Sequence, residues 1–508
     1  MPSALLAIAT TLLFAVPALA AGAAHDRVKA AAEAMGGEAQ LRTLQGLRIQ
    51  GVGHWNLLEQ SERPSPPFLV LYEQFDEVRD VQHGRMHLTS KRRGASFEDW
   101  KPLVTVLANG VVAMGQEGQL RSAGPAQLQD ARERLDFAPE RVLLTALDAS
   151  DLRSEKDVVM QDVLHHVVAF HHGRVRVRLF LNANTQLPTA VETVDAHPED
   201  TFWSVWGDVR TLLSFQSWSL EAGGLRYPRS WDWERNGQAY HSQVVTAVAL
   251  NPPMKEGDFA LSEDVKKVFE ARGAKPFESM PLGRPDAPPV ELVEGVLQIP
   301  GRWNITLVKQ EDGIVVLEGP LTSGYSQRVL EECSKRFPNM KVKAVVSTSD
   351  AWPHVGGLRE YVARGIPLEV LDINRPLVER LVASPRTMLP DSLAQASRAA
   401  KLRVVSKRKV LGSGKNRLEL IPARTETGER MLFVWMPEHQ LLYTSDLVQR
   451  LPDDSFFNVQ QVSEAVDVAT RETLAVTRAF GMHLGPTEWE TLTSAVEKAR
   501  APVKTALP

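Results

Sequence analysis

The sequence predicts an α+β protein of two domains, a mainly antiparallel β domain followed by one in which strands and helices mix. Three observations predict it. Clusters of β-branched and aromatic residues, broken by turn residues, run from Leu47 to Phe259 as short strands do. Lys275 to Pro289 then carries prolines at 276, 281, 285, 288 and 289 with few strong apolar residues, which marks a linker. Beyond it, apolar runs of strand length give way to segments with helical spacing.

Residues Leu5 to Val16 form an apolar run the length of a signal h-region, closed by Pro17 and the small-residue pattern Ala18-Leu19-Ala20. The expected organisation is a signal peptide at 1–20, an N-terminal antiparallel β domain at 21–274, the linker at 275–289 and a second domain at 290–508, in a periplasmic or secreted protein. No later apolar run reaches the roughly 20 residues that a membrane span requires. The net charge of -4 gives no reason to expect a nucleic-acid partner. Cys333 is the only cysteine of the 508 residues, so no intramolecular disulfide can form.

Val28 to Met35 is Ala-rich and helical, and Gly36-Gly37 ends it. Strands are expected at Leu47 to Val52, Phe68 to Phe75 and Val104 to Ala113. Ala126 to Leu147 reads as a helical insertion broken at Pro139, and Val163 to Leu181 as a hairpin. Trp203, Trp206, Trp218, Trp231 and Trp233 mark further strands. After the linker, strands are expected at Val290 to Leu297 and Ile305 to Leu317, and a helix at Ser323 to Phe337 with Val329, Leu330, Cys333 and Phe337 on its inner face. Pro376 to Val382 reads as helix, Leu402 to Ile421 and Met431 to Thr444 as hairpins, and Val462 to Phe480 as a long helix.

The stretch from Lys343 to Arg359, KAVVSTSDAWPHVGGLR, reads as a buried strand, a turn and a helix opened by Gly356 and Gly357, which let the backbone turn sharply. With the strand that follows at Pro367 to Leu371, it resembles the metal-binding loop of the metallo-β-lactamase superfamily, where HxHxDH precedes two glycines. Laid on this chain, the six positions are Ser349, Asp350, Ala351, Trp352, Pro353 and His354, so only the last His is kept. The resemblance spans Val290 to Lys498 and implies a four-layer αββα sandwich, hydrolase chemistry, and a pair of zinc or iron ions held by His and Asp. Asn182 to Val194, NANTQLPTAVETV, is similar to the DPxTxLP turn of periplasmic lipoprotein-carrier domains through Thr185, Leu187 and Pro188, which implies a half-barrel for the first domain.

Carried over position by position, the resemblance leaves three metal ligands: His354, Asp446 in LLYTSDL, and His483 in GMHLGP. Ser349 and Ala351 replace two His, the third falls on Arg424 or Thr427, and Pro353 replaces an Asp. Two imidazoles, one carboxylate and a water would complete a tetrahedral centre for one zinc, iron or manganese ion that activates the water. Alternatively, His354 and His483 hydrogen-bond Asp446 in a metal-free pocket. Two functions follow: a one-metal hydrolase, or a non-catalytic envelope protein that binds a small or apolar ligand or a protein partner.

Other strings carry less chemistry. His165, His166, His171 and His172 have no carboxylate or thiolate in their immediate motif and read as exposed hairpin residues, with Arg174, Arg176 and Arg178 as one solvated face. LGSGKN at Leu411 to Asn416 lacks Walker spacing and reads as a hairpin turn. GYSQR at Gly324 to Arg328 lacks the second Gly of a nucleophile elbow, and Cys333 reads as a buried thiol. Aromatic residues of the first domain either pack its core or line a groove for an apolar ligand.

Overall fold

The computed structural model describes residues 15–58, 60–94, 101–272 and 277–501. The leader through residue 14 lies outside them, as do Lys275 and Pro276 of the linker. Residues 1–57, 70–197 and 209–274 form one compact unit; 58–69, 198–208 and 275–508 form a second. Among the described residues no helix is long and apolar enough to cross a membrane.

The first unit is built on one sheet of thirteen strands among the described residues. Six strands run as an antiparallel meander from Gly46–Asn56 to Gln119–Ser122, seven more from Arg153–Met160 to Gln238–Leu250, and the halves join where Gly46–Asn56 pairs with Gln238–Leu250. Helices Pro125–Asp136 and Pro139–Asp148 link the halves, separated as Pro139 predicts. Helix Ala15–Met35 lays Ala24, Val28, Ala31 and Met35 into a core with Leu47, Phe170, Phe215 and Trp231. The apolar run at 104–113 is two strands, Leu103–Ala108 and Val111–Gln116. Asn109 and Gly110 both take positive φ (51° and 74°) and make the tight turn whose twist suits a hairpin. Trp203 and Trp206 mark no strand. They lie in the 198–208 segment of the second unit, in a single 3-10 turn, Trp203–Trp206, started by Asp200 Oδ1, which accepts from the amides of Phe202 and Trp203 at 2.8 and 2.6 Å.

Two sheets form the frame of the second unit. The first has seven strands among the described residues and is antiparallel from Val290–Val293 to Gly313–Leu317. It then turns parallel through Val342–Ser347, Leu368–Leu371 and Leu402–Val405, with helices Ser323–Arg336, Leu358–Ala363 and Arg375–Ala383 in the crossovers. The second sheet runs from Lys409–Leu411 to Leu484–Glu488. Val315, Leu317, Val346 and Leu371 of the first share one core with Leu418, Leu420, Val434 and Tyr443 of the second. Helices Val459–Arg471 and Trp489–Arg500 bury Val462, Val468, Leu492 and Val496 against Ile421, Phe433 and Leu442 on the second sheet's other side.

Two expectations change here. Leu402 to Ile421 is not one hairpin: Leu402–Val405 closes the first sheet, and Lys409–Leu411 pairs with Leu418–Pro422 in the second. The long helix ends at Arg471, where Thr473 takes φ 55°; Leu474 and Val476 keep the apolar spacing from within a loop, and Arg478–Gly481 is a strand.

Candidate site at the end of the 342–347 strand

Val342–Ser347 enters the second unit's core and delivers Thr348, Ser349 and Asp350, all fully buried, to its carboxyl end. In open parallel sheets that end is where ligands bind. The chain then forms the short helix Trp352–Val355, carrying His354, also fully buried. Gly356 and Gly357 are required here for a reason other than the expected sharp turn. Both keep negative φ (-57° and -95°), but a Cβ on Gly356 would lie 1.9 Å from the Leu321 carbonyl oxygen, and one on Gly357 would lie 2.0 Å from Ser326 Oγ. The strap 318–322 presses against this helix: the amides of Gly319 and Leu321 donate to the carbonyls of His354 and Pro353.

The strap supplies a residue the sequence reading missed. Glu318 is fully buried with φ 83°, an uncommon conformation for a side-chain-bearing residue. Its carboxylate accepts from Thr348 Oγ1 and, at 2.8 Å, from Tyr443 OH. His354 Nδ1 stands 2.9 Å from Glu318 Oε2. His354 Nε2 is 3.7 Å from Asp446 Oδ2, whose Oδ1 is 3.2 Å from Nε2 of the quarter-exposed His483. Neither nitrogen of His354 is aligned for a hydrogen bond. The three sequence-predicted residues therefore do come together, with Asp446 between two imidazoles.

Burial pulls the His354 imidazole down, but the Glu318 and Asp446 carboxylates outweigh it and lift the group to about 9. Asp446 is pushed up by burial and held well below the usual carboxylate range by the His354 and His483 imidazoles beside it. The second missed residue is Arg430. Its Nη1 donates to Ser349 Oγ at 2.7 Å and to Asp350 Oδ1 at 2.6 Å, and its charge also acts on Asp446. Burial raises the Asp350 carboxyl against the opposing pull of Arg430. Arg424 and Thr427 point elsewhere, to Asp372 and Glu464. Only the position of Arg430, next to the apolar run beginning at Met431, hinted at its role.

Metal binding needs deprotonated donors that converge on one point. Among the described residues no group of three or more His, Cys, Asp or Glu is arranged to hold a metal ion. Here the carboxylates are matched instead with an imidazolium and a guanidinium. In this arrangement the donors among the described residues do not converge as a metal's ligands do.

The four hairpin histidines each have their own partner, and His165 is buried where an exposed residue was expected. His166 faces Asp157, His171 faces Asp151, His172 faces Asp136, and His165 lies between the Val163 carbonyl and Thr189. Arg174, Arg176 and Arg178 pair with Asp195, Glu155 and Glu192. Cys333 is buried, its thiol pushed up to about 12 by that burial.

No family model matches the sequence, and no curated protein matches it. Among solved structures, the stereoselective inverting sec-alkylsulfatase Pisa1 from Pseudomonas sp. is 13% identical over 42% of this chain, at a TM-score of 0.32. The matched region spans 40% of that enzyme's length. A metallo-β-lactamase from Pontibacter korlensis is 13% identical over 43% of this chain and 100% of its own, at 0.33. The DIM-1 metallo-β-lactamase is 13% identical over 42% of this chain and 96% of its own, at 0.32. Scores this low carry no argument, and the functional reading rests on this chain's own topology and residues.

Proposed function

We propose that the second unit is a metallo-β-lactamase-like αββα sandwich whose centre is held by protein charges in place of metal ions. The chain then serves as a non-catalytic binding protein of the cell envelope. The observation that carries this reading is the Arg430 guanidinium bonded to Ser349, at a motif position where the superfamily holds metal through histidine, and to the adjacent Asp350. His354 supports it from the other side, as a cation between Glu318 and Asp446. Two sheets sharing one core, with helices on the second sheet's outer side and in the parallel crossovers, support the sandwich. The apolar leader supports export.

One observation favours the alternative, a one-metal hydrolase that holds zinc, iron or manganese through His354, Asp446 and His483. The 3.7 and 3.2 Å separations around Asp446 approach the roughly 3.3 Å between ligands of a tetrahedral site with bonds of about 2 Å. Elemental analysis of the mature protein, purified without chelator or affinity tag, separates the two. The proposed reading expects near zero Zn, Fe and Mn per chain, unchanged after metal is added. A value near one that is lost in His354→Ala and His483→Ala would overturn it in favour of the hydrolase.

A further inference from the structure

Between the first unit's sheet and helix Pro125–Asp136 lies a cavity of about 150 Å³. A cavity of about that volume, lined by apolar groups, holds benzene. One wall here is a stack of rings: His241 lies between Trp55 (centroids 3.6 Å apart, 10° between planes) and Trp233 (4.8 Å, 20°). Met86 and Met114 offer thioethers, which pack well against aromatic edges, and Ala131 of the helix leaves the space open.

The cavity also has a cation with bonding capacity to spare. The Arg92 guanidinium lies over the Trp55 ring, 5.1 Å from its centroid. Glu73 is 3.6 Å from Arg92 Nε, too far for a hydrogen bond. That carboxylate already accepts from Trp55 Nε1 at 2.9 Å, His241 Nε2 at 2.6 Å and Gln243 Nε2 at 2.7 Å. Arg92 Nε is buried without a hydrogen-bond partner among the described residues. Two features offset the carboxylates of the wall. Arg134, paired with Glu77, stands over the Trp233 ring at 5.8 Å, and burial lifts the Glu133 carboxyl to about 7, against Arg235.

We propose that this cavity binds a small aromatic carboxylate, its ring against Trp55, Trp233 and the two thioethers, and its carboxylate on Arg92. Guanidinium matches carboxylate in planar, two-pronged fashion, and an aromatic ring can pack against the indole rings and thioethers of the wall. The site is independent of what the second unit does.

Calorimetric titration of the intact protein with benzoate tests it, with benzamide as the neutral isostere. Benzoate should bind saturably at one per chain, and benzamide at least tenfold more weakly. Arg92→Met should weaken benzoate at least tenfold, with Arg92→Lys between it and the parent. Ala131→Leu, which fills the cavity, should remove binding. Far-UV circular dichroism establishes that each variant is folded, and Arg92→Lys serves if Arg92→Met is not. Absence of saturable benzoate binding, equal affinity for benzamide, or full affinity in a folded Arg92 variant would overturn the proposal.

Discussion

Arg430 and Asp350 form a buried ion pair, Nη1 to Oδ1 at 2.6 Å, where the 342–347 strand ends. Such a pair stabilises only while both members remain, since desolvation of the survivor is uncompensated when one is removed. Ser349 and Asp446 complete the surroundings of the guanidinium, so three polar groups depend on one cation.

Arg430→Met should therefore destabilise the second unit by about 3–5 kcal/mol, the usual cost of breaking a buried pair. Combining it with Asp350→Leu should recover much of that loss, because the stranded carboxylate goes too. Urea midpoints of the single and double variants give the coupling between them. A single variant as stable as the parent would remove this pair from the centre of the site.

The His354 shift predicts an alkaline loss of stability. Its native value near 9 exceeds the ordinary 6.5, so its contribution is complete below about pH 6.5 and disappears as pH rises through 9. Two and a half units correspond to about 3 kcal/mol. Asp446 acts oppositely: its depressed value stabilises above about pH 4 and is lost as pH falls further. The second unit should be most stable between those limits. Comparing unfolding midpoints at pH 6 and pH 9 for the parent and His354→Gln checks it; an equal fall in both would assign the effect to other groups.

The sequence shows the strand, the helix after the glycine pair and the three residues of this site because each carries a local signal: an apolar run, a glycine pair, a His or Asp in a small-residue turn; the short helix Trp352–Val355 stands where a turn was expected. Glu318 carries none, and Arg430 only its place beside the apolar run that begins at Met431. Their partners lie 30 and 80 residues away in sequence, and only the pairing of strands brings them together. The same limit explains 402–405, whose apolar run reads alike whether it pairs with its successor or closes the other sheet. Gly356 and Gly357 are visible as glycines, but their reason, the approach of the 318–322 strap, is not.

Gly356→Ala and Gly357→Ala test that reason. The atoms in the way of Gly356 are backbone, at 1.9 Å, so the strap itself must move, and it holds Glu318 against His354. Overpacking of this kind typically costs about 1–3 kcal/mol, and a backbone obstruction belongs at the upper end. Gly357→Ala meets a hydroxyl first, and Ser326→Ala should relieve part of its loss. If Gly356→Ala melted with the parent, the close approach would not be a constraint.

The second unit includes two segments from earlier in the chain, 58–69 and 198–208. They are held by specific bonds. Asp208 accepts from the Thr387 amide at 2.7 Å, Thr387 Oγ1 at 2.6 Å and the Met388 amide at 3.2 Å; Arg386 donates to the Val205 carbonyl at 2.6 Å. The Glu62 carbonyl accepts from the amide of Arg430 itself, at 3.1 Å. A fragment beginning at residue 275 would leave these groups without partners and release the backbone of the residue at the centre of the site. Such a fragment should lack fixed tertiary structure by near-UV circular dichroism. In the intact chain Asp208→Ala should cost about 1–3 kcal/mol, the usual worth of hydrogen bonds to a charged group. A 275–508 fragment that unfolded cooperatively at the parent's midpoint would show that the two segments merely rest on the unit.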